Sequence, residues 1–139
     1  MPALIDTNFL LAVIFPNDAN HGKARKVIQS LDSSQSIVPA PVLSELFYMT
    51  TVRLNFNEAV NYLEQVQKAG FNFQSLVGED RARMIEIMRQ YASSAFDYTD
   101  AAIMTLAERL NITQVYTFDR RDFNVFRPKH CPYLELLPN

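Results

Sequence analysis

The sequence predicts an α/β domain in which a parallel sheet of four to five short strands is covered by helices on both faces. Three observations carry that expectation. Short apolar runs alternate with helical patterns of ten or more residues, the order a parallel sheet needs because its crossovers are helices. The chain has 139 residues, is 48% hydrophobic and contains three glycines, which suits one core and leaves no room for a second. No internal repeat, low-complexity run or linker interrupts it, so residues 1–139 are expected to form a single domain.

The elements follow in order. Ala3 to Ile5 is the first strand, and Asp6, Thr7 or Asn8 caps a helix expected to start at Phe9. In residues 20–31, Ala24, Val27, Ile28 and Leu31 fall at i, i+3, i+4 and i+7, one face of a helix that Asp18 or Asn20 could cap. Ser36 to Val38 is the second strand, and Pro39 and Pro41 turn the chain into a helix over 42–54. A helix over 57–70 opens on Asn57 as its cap and closes on Gly70. Phe71 to Phe73 is the third strand. Helical spacing returns at Met84, Ile85, Met88 and Tyr91 or Ala92. The helix over 101–110 is apolar nearly all round until Glu108, which predicts a central position. Val115 to Thr117 and Tyr133 to Leu136 complete the strands, and Pro128, Pro132 and Pro138 punctuate an irregular C-terminal segment.

Composition excludes some classes of partner. The net charge of −2 gives the molecule no overall pull toward nucleic acid or a membrane surface, so an anionic partner must be held locally. A single cysteine, Cys131, allows no internal disulfide and fits a reducing compartment, with the cytoplasm as the expected location. Phe9 to Phe15 is too short for a signal-peptide core and has Asp6 before it where a positive region should stand. No run approaches the roughly 20 apolar residues of a membrane span.

Four places carry acids at an element end or inside an apolar helix. Asp6 follows the first strand and Asp119 the fourth, with Asp122 three residues later. Glu45 lies among Leu43, Leu46 and Phe47. Asp97 and Asp100 stand at the start of the central helix. Each alone has an ordinary structural reading: Asp97 and Asp100 as helix-start acids, Glu45 as an ion-paired or solvated residue, Asp6 and Asp119 as turn formers. Together they are different, because Asp6 and Asp119 end strands of one sheet and Asp100 starts a helix packed beside it. Carboxylates gathered in this way repel one another unless a cation sits among them, and hard oxygen ligands suit magnesium or manganese. His21 and His130 are far apart and Cys131 stands alone, which argues against zinc. A carboxylate site of this kind commonly serves phosphodiester hydrolysis.

The pieces 4-LIDTNFLLA-12, 44-SEL-46, 100-DAAIMTLAERL-110, 115-VYTFDRRDF-123, 127-RPKH-130 and 134-LELLP-138 resemble, in order, the PIN-domain ribonucleases, and among them the toxins of VapBC-type toxin–antitoxin pairs. The resemblance implies a PIN-like fold and a metal-dependent endoribonuclease acting on single-stranded RNA. It implies that Asp6, Glu45, Asp100 and Asp119 are the catalytic acids holding one or two Mg2+ or Mn2+ ions, with Asp122 as an accessory acid. Asp100 is favoured over Asp97 because the family's run of small and aliphatic residues follows it. Two residues, Arg120 and Arg121, separate Asp119 from Asp122, where the family often has one. Thr7, Asn8 and Thr117 resemble the residues that hold the carboxylates in place by hydrogen bonds. A protein antitoxin and a homodimer are implied partners, with candidate contacts at Phe47, Tyr48 and Met49 and at Tyr62 and Val66.

In 118-FDRRDFNVFRPKH-130, Arg120, Arg121, Arg127, Lys129 and His130 alternate with Phe118, Phe123 and Phe126, basic groups for phosphates beside aromatic faces for unstacked bases. The competing reading is a core of phenylalanines with a solvated charged rim. Two other functions remain open: a non-catalytic PIN-like domain that binds RNA or protein, and a phospho-acceptor signalling module. The latter usually has two adjacent acids after its first strand, where this chain has Asp6, Thr7 and Asn8.

Overall fold

A computed structural model describes residues 1–139. Five strands, β1 (Ala3–Ile5), β2 (Ser36–Pro39), β3 (Asn72–Gln74), β4 (Gln114–Tyr116) and β5 (Glu135–Leu137), form one sheet in the order β3-β2-β1-β4-β5. Every neighbouring pair is parallel. Seven helices flank it: α1 (Thr7–Ile14), α2 (His21–Ser30), α3 (Ala40–Arg53), α4 (Phe56–Lys68), α5 (Asp80–Gln90), α6 (Tyr98–Arg109) and α7 (Arg120–Val125).

From β1 the chain steps outward to β2 and β3, then returns past β1 to β4 and β5. Right-handed crossovers put the helices of the outward leg on one face and those of the return on the other. The strand order therefore reverses at β1, and a crevice opens at the carboxyl ends of β1 and β4, where open α/β sheets hold ligands. Pairing of Leu4 with Val115 and Ile5 with Tyr116 brings the next residues, Asp6 and Thr117, level with each other at that edge.

The core is continuous from β1 and β4 into α1 and α6, through Leu4, Ile5, Phe9, Ile103, Met104, Leu106 and Val115, all fully buried. As expected, α6 is central: every residue from Thr99 to Ala107 is buried. Burial of Ile103, Met104 and Leu106 contributes about 1.5–3 kcal/mol each, so packing fixes this helix regardless of the charge at its first turn.

Several boundaries differ from expectation. The first helix starts at Thr7, two residues early, because the Asp6 side chain accepts from the Thr7 N–H. The third begins at Ala40, since Pro41 has no N–H to lose in a first turn. Asn55, not Asn57, caps α4, accepting from the Glu58 N–H at 2.9 Å. Strands β3, β4 and β5 are shifted by one or two residues, and Thr117 lies just beyond β4. The helix α7 was not anticipated.

Candidate metal centre and active site

The end of β1 delivers Asp6 into the crevice, and its carboxylate is held from three sides. Oδ1 accepts from the Thr7 N–H at 2.8 Å; Oδ2 accepts from Thr117 Oγ1 at 2.8 Å and from Asn8 Nδ2 at 3.2 Å. Thr117 Oγ1 also accepts from the Asp119 N–H at 3.0 Å, and Asn8 Oδ1 accepts from the Phe118 N–H at 2.9 Å. Asp6, Asn8 and Thr117 thus tie the start of α1 to the loop that carries Asp119.

Asp119 begins α7 without using its carboxylate as a cap, which leaves that group facing solvent. One turn later, Asp122 returns to the same place. Asp100, Asp119 and Asp122 each present an oxygen atom, and these three atoms lie within 4.8 Å of one another. Asp97 takes the structural role instead: it caps α6, its Oδ1 accepting from the Asp100 N–H at 2.8 Å. Glu45, half-buried on α3, lies within 3.5 Å of the Thr99 hydroxyl.

These groups line a cavity of about 270 Å³ whose walls include Asp6, Thr7, Asn8, Asp18, Glu45, Asp97, Asp100 and Asp119. The four acids expected to act together therefore share one cavity, and Asp122 meets two of them. Burial, then repulsion from Asp6, Asp97, Asp119 and Asp122, pushes the Asp100 carboxyl up to about 8. Burial raises Asp6 to about 6 against the opposing bonds from Thr117 and the Thr7 N–H. Charge that is unfavourable without a counterion, and a buried Thr7 Oγ1 with no protein partner, fit a hydrated divalent cation among these oxygens.

Sequence reasoning missed two lining residues. Asp18, proposed only as a helix cap, also faces the cavity. Arg53 is the cavity's one cationic wall; its guanidinium sits 5.1 Å from the centre of the Phe15 ring and makes no ion pair. Its position at the end of α3, eight residues beyond Glu45, carried no local signal.

The basic and aromatic run needs correction. Phe123 and Phe126 are fully buried and closed to bases, and half-buried Phe118 stacks one face on Phe9. Arg120 is bound to the Leu136 and Pro138 carbonyls and holds the C-terminal strand. Arg127 bonds the Asn124 and Phe126 carbonyls, and the Lys129 N–H donates to Glu108, near the end of α6 about 12 Å along the helix from Asp100. Of this run only Arg121 stands at the acid cluster, exposed and ion-paired with Asp122 at 3.4 Å. His21 and His130 bond the backbone carbonyls of Ala12 and Ile112 respectively.

The profile of the PIN domain family matches residues 3–127. The chain belongs to the PIN domain family. This PIN domain is 26% identical over 126 residues to Ribonuclease VapC26 of Mycobacterium tuberculosis, a match spanning 90% of this chain and 92% of that protein. Its fold is similar to the crystal structure of Mycobacterium tuberculosis VapC20, described as a Sarcin-Ricin loop cleaving toxin, with a TM-score of 0.80 and 19% identity over 94% of this chain and 98% of that one. A toxin–antitoxin complex from Klebsiella pneumoniae contains a similar chain, with a TM-score of 0.64 and 18% identity over 95% of this chain and 98% of that one. No helix of this PIN domain is long and apolar enough to cross a membrane.

Proposed function

We propose that this PIN domain is a Mg2+- or Mn2+-dependent endoribonuclease that cleaves single-stranded RNA, and that it is the toxin of a toxin–antitoxin pair. The observation that carries the reading is the meeting of Asp6, Glu45, Asp100 and Asp119 in one cavity, with Asp122 against Asp100 and Asp119. When bound, the cation would supply water activation and neutralisation of phosphate charge. Asp100, Asp119 and Asp122 would hold it; Asp6, fixed by Thr117, Asn8 and Thr7, would complete its surroundings. Glu45 stands outside the three-acid group, on the Thr99 side of the cavity, and is our assignment for orienting the attacking water. Six carboxylates in the wall repel a phosphate chain, so Arg53, held over Phe15, is the side chain placed to take a non-bridging phosphate oxygen.

The relatives support the toxin assignment: VapC26 is named a ribonuclease and the Klebsiella protein lies in a toxin–antitoxin complex. An apolar cavity of about 500 Å³ between α1, α2 and α4, lined by Leu10, Val13, Ile28, Tyr62 and Val66, is the surface we assign to an antitoxin segment. A cytoplasmic homodimer completes the proposal. The deciding experiment is calorimetric titration of manganese into the wild-type protein and Asp100→Asn, followed by cleavage assays on single-stranded RNA. Binding lost in the variant together with metal-dependent cleavage is the expected result. A folded wild type that binds no manganese and cuts no RNA would leave a non-catalytic binding domain as the better reading.

A further inference from the structure

A second cavity, of about 740 Å³, opens beside the acid site and shares Glu45 with it. Its walls carry Tyr48, Tyr98 and Arg81. Both rings are exposed, 63% for Tyr48 and 52% for Tyr98, and neither packs on another aromatic ring. Arg81 is exposed and forms no ion pair. The fold therefore makes little use of these three side chains.

Their placement follows from the helices that carry the acids. Tyr48 lies three residues after Glu45 on α3, on the same face. Tyr98 opens α6 and directly precedes Thr99 and Asp100. Each ring is thus fixed relative to an acid of the cleavage site by less than two turns of helix. Aromatic faces beside an unpaired cation are the means by which proteins hold unstacked bases of a single strand. Ser44, Ser75 and Thr99 add hydroxyl groups to a wall that also carries Ala40, Pro41 and Leu76, so hydrogen-bonding groups lie beside the two rings.

We propose that Tyr48, Tyr98 and Arg81 form a nucleobase subsite that seats a base next to the scissile phosphate, with the rings stacking on the base and Arg81 contacting the neighbouring phosphate. The proposal rests on the nuclease reading above and extends it to substrate positioning. Because the subsite grips by stacking, it selects single strands and excludes duplex RNA.

The chain contains no tryptophan, which permits a direct test. Tyr48→Trp places a single tryptophan in the cleft, and its fluorescence should be quenched by short single-stranded oligoadenylate or oligouridylate with manganese present. Tyr48→Ala and Tyr98→Ala should each weaken binding of the same oligomers by roughly 5- to 150-fold, whereas Tyr48→Phe and Tyr98→Phe should keep wild-type affinity. Wild-type binding and cleavage that the alanine variants leave unchanged would overturn the subsite alone. Alanine variants that turn a dimer into a monomer with unchanged RNA affinity per protomer would also overturn it and assign the face to a second copy. A wild type that neither binds nor cuts any oligomer would overturn the nuclease reading and the subsite with it.

Discussion

Thr117 Oγ1 lies 2.8 Å from Asp6 Oδ2, although 111 positions separate the two residues in the chain. The bond joins the ends of the two central strands and holds one carboxylate of the candidate metal site in a single orientation. Thr117→Val keeps the shape and removes the bond, leaving the buried Asp6 short of a donor. It should cost about 1–3 kcal/mol of stability and lower manganese affinity by roughly 10- to 100-fold. Urea denaturation and calorimetry on the same preparation check both parts, and wild-type manganese affinity would show that Thr117 does not orient the site.

Asp100→Asn should separate stability from function. The buried carboxylate is opposed by four neighbouring acids, so removing its charge should raise the melting temperature of the metal-free protein by a few degrees. The same change should abolish manganese binding and RNA cleavage. Lower stability than the wild type would mean that the carboxylate makes a favourable contact that this geometry does not include.

The acids also set a pH dependence. Asp6 and Asp100 are raised to about 6 and about 8 from an ordinary value of 3.8. Between about pH 4 and pH 8 the folded, metal-free chain therefore binds more protons than the unfolded chain, and stability falls as pH rises. Below that window both states are protonated and the effect vanishes. Urea melts across the window should show the decline without metal and a flat or reversed trend with manganese. A decline unchanged by saturating manganese would place the titrating groups away from the cation.

Asp122 and Glu45 are expected to fail in different ways. Asp122→Asn removes an oxygen from the three-acid group and should weaken manganese binding at least tenfold. Glu45→Gln should cut the cleavage rate by about a hundredfold or more while leaving the manganese isotherm close to wild type. Equal losses of affinity in both variants would make Glu45 a metal ligand.

Arg120 and Arg121 adjoin in sequence and differ in role. Arg121→Ala should weaken RNA binding and make its salt dependence shallower by about one phosphate contact. Arg120→Ala should instead destabilise the C-terminal strand, because its guanidinium bonds the Leu136 and Pro138 carbonyls. Identical salt slopes for Arg121→Ala and wild type would exclude the RNA contact.

These pairs show what the sequence could disclose. Alternation of apolar runs and helical periods marked all five strands and every long helix, because both signals are local. The carboxylates were legible as a group because their places at strand and helix ends follow from the same punctuation. The short helix α7 was not, since the six residues Arg120 to Val125 leave no room for a helical repeat and Asp119 before them reads equally as a turn former. Asp122 gained its place from that helix, whose one turn carries it back beside Asp119. The phenylalanines of 118–130 misled for a related reason: aromatic residues at irregular spacing look alike whether they face solvent or fill the core. Arg53 and the Tyr48–Tyr98 cleft depend on which faces of α3 and α6 meet the crevice, a property of packing that no single segment records.

The order of strands also governs when the site can exist during synthesis. β1 emerges first, but one of its two sheet neighbours is β4, and Thr117 and Asp119 follow β4. A nascent chain that has made the first hundred or so residues holds Asp6, Glu45 and Asp100 without the partners that orient and complete them. The carboxylates consequently spend most of translation unassembled, and chains released early lack the complete acid cluster. A fragment ending before Val115 should bind no manganese under conditions in which the full chain does.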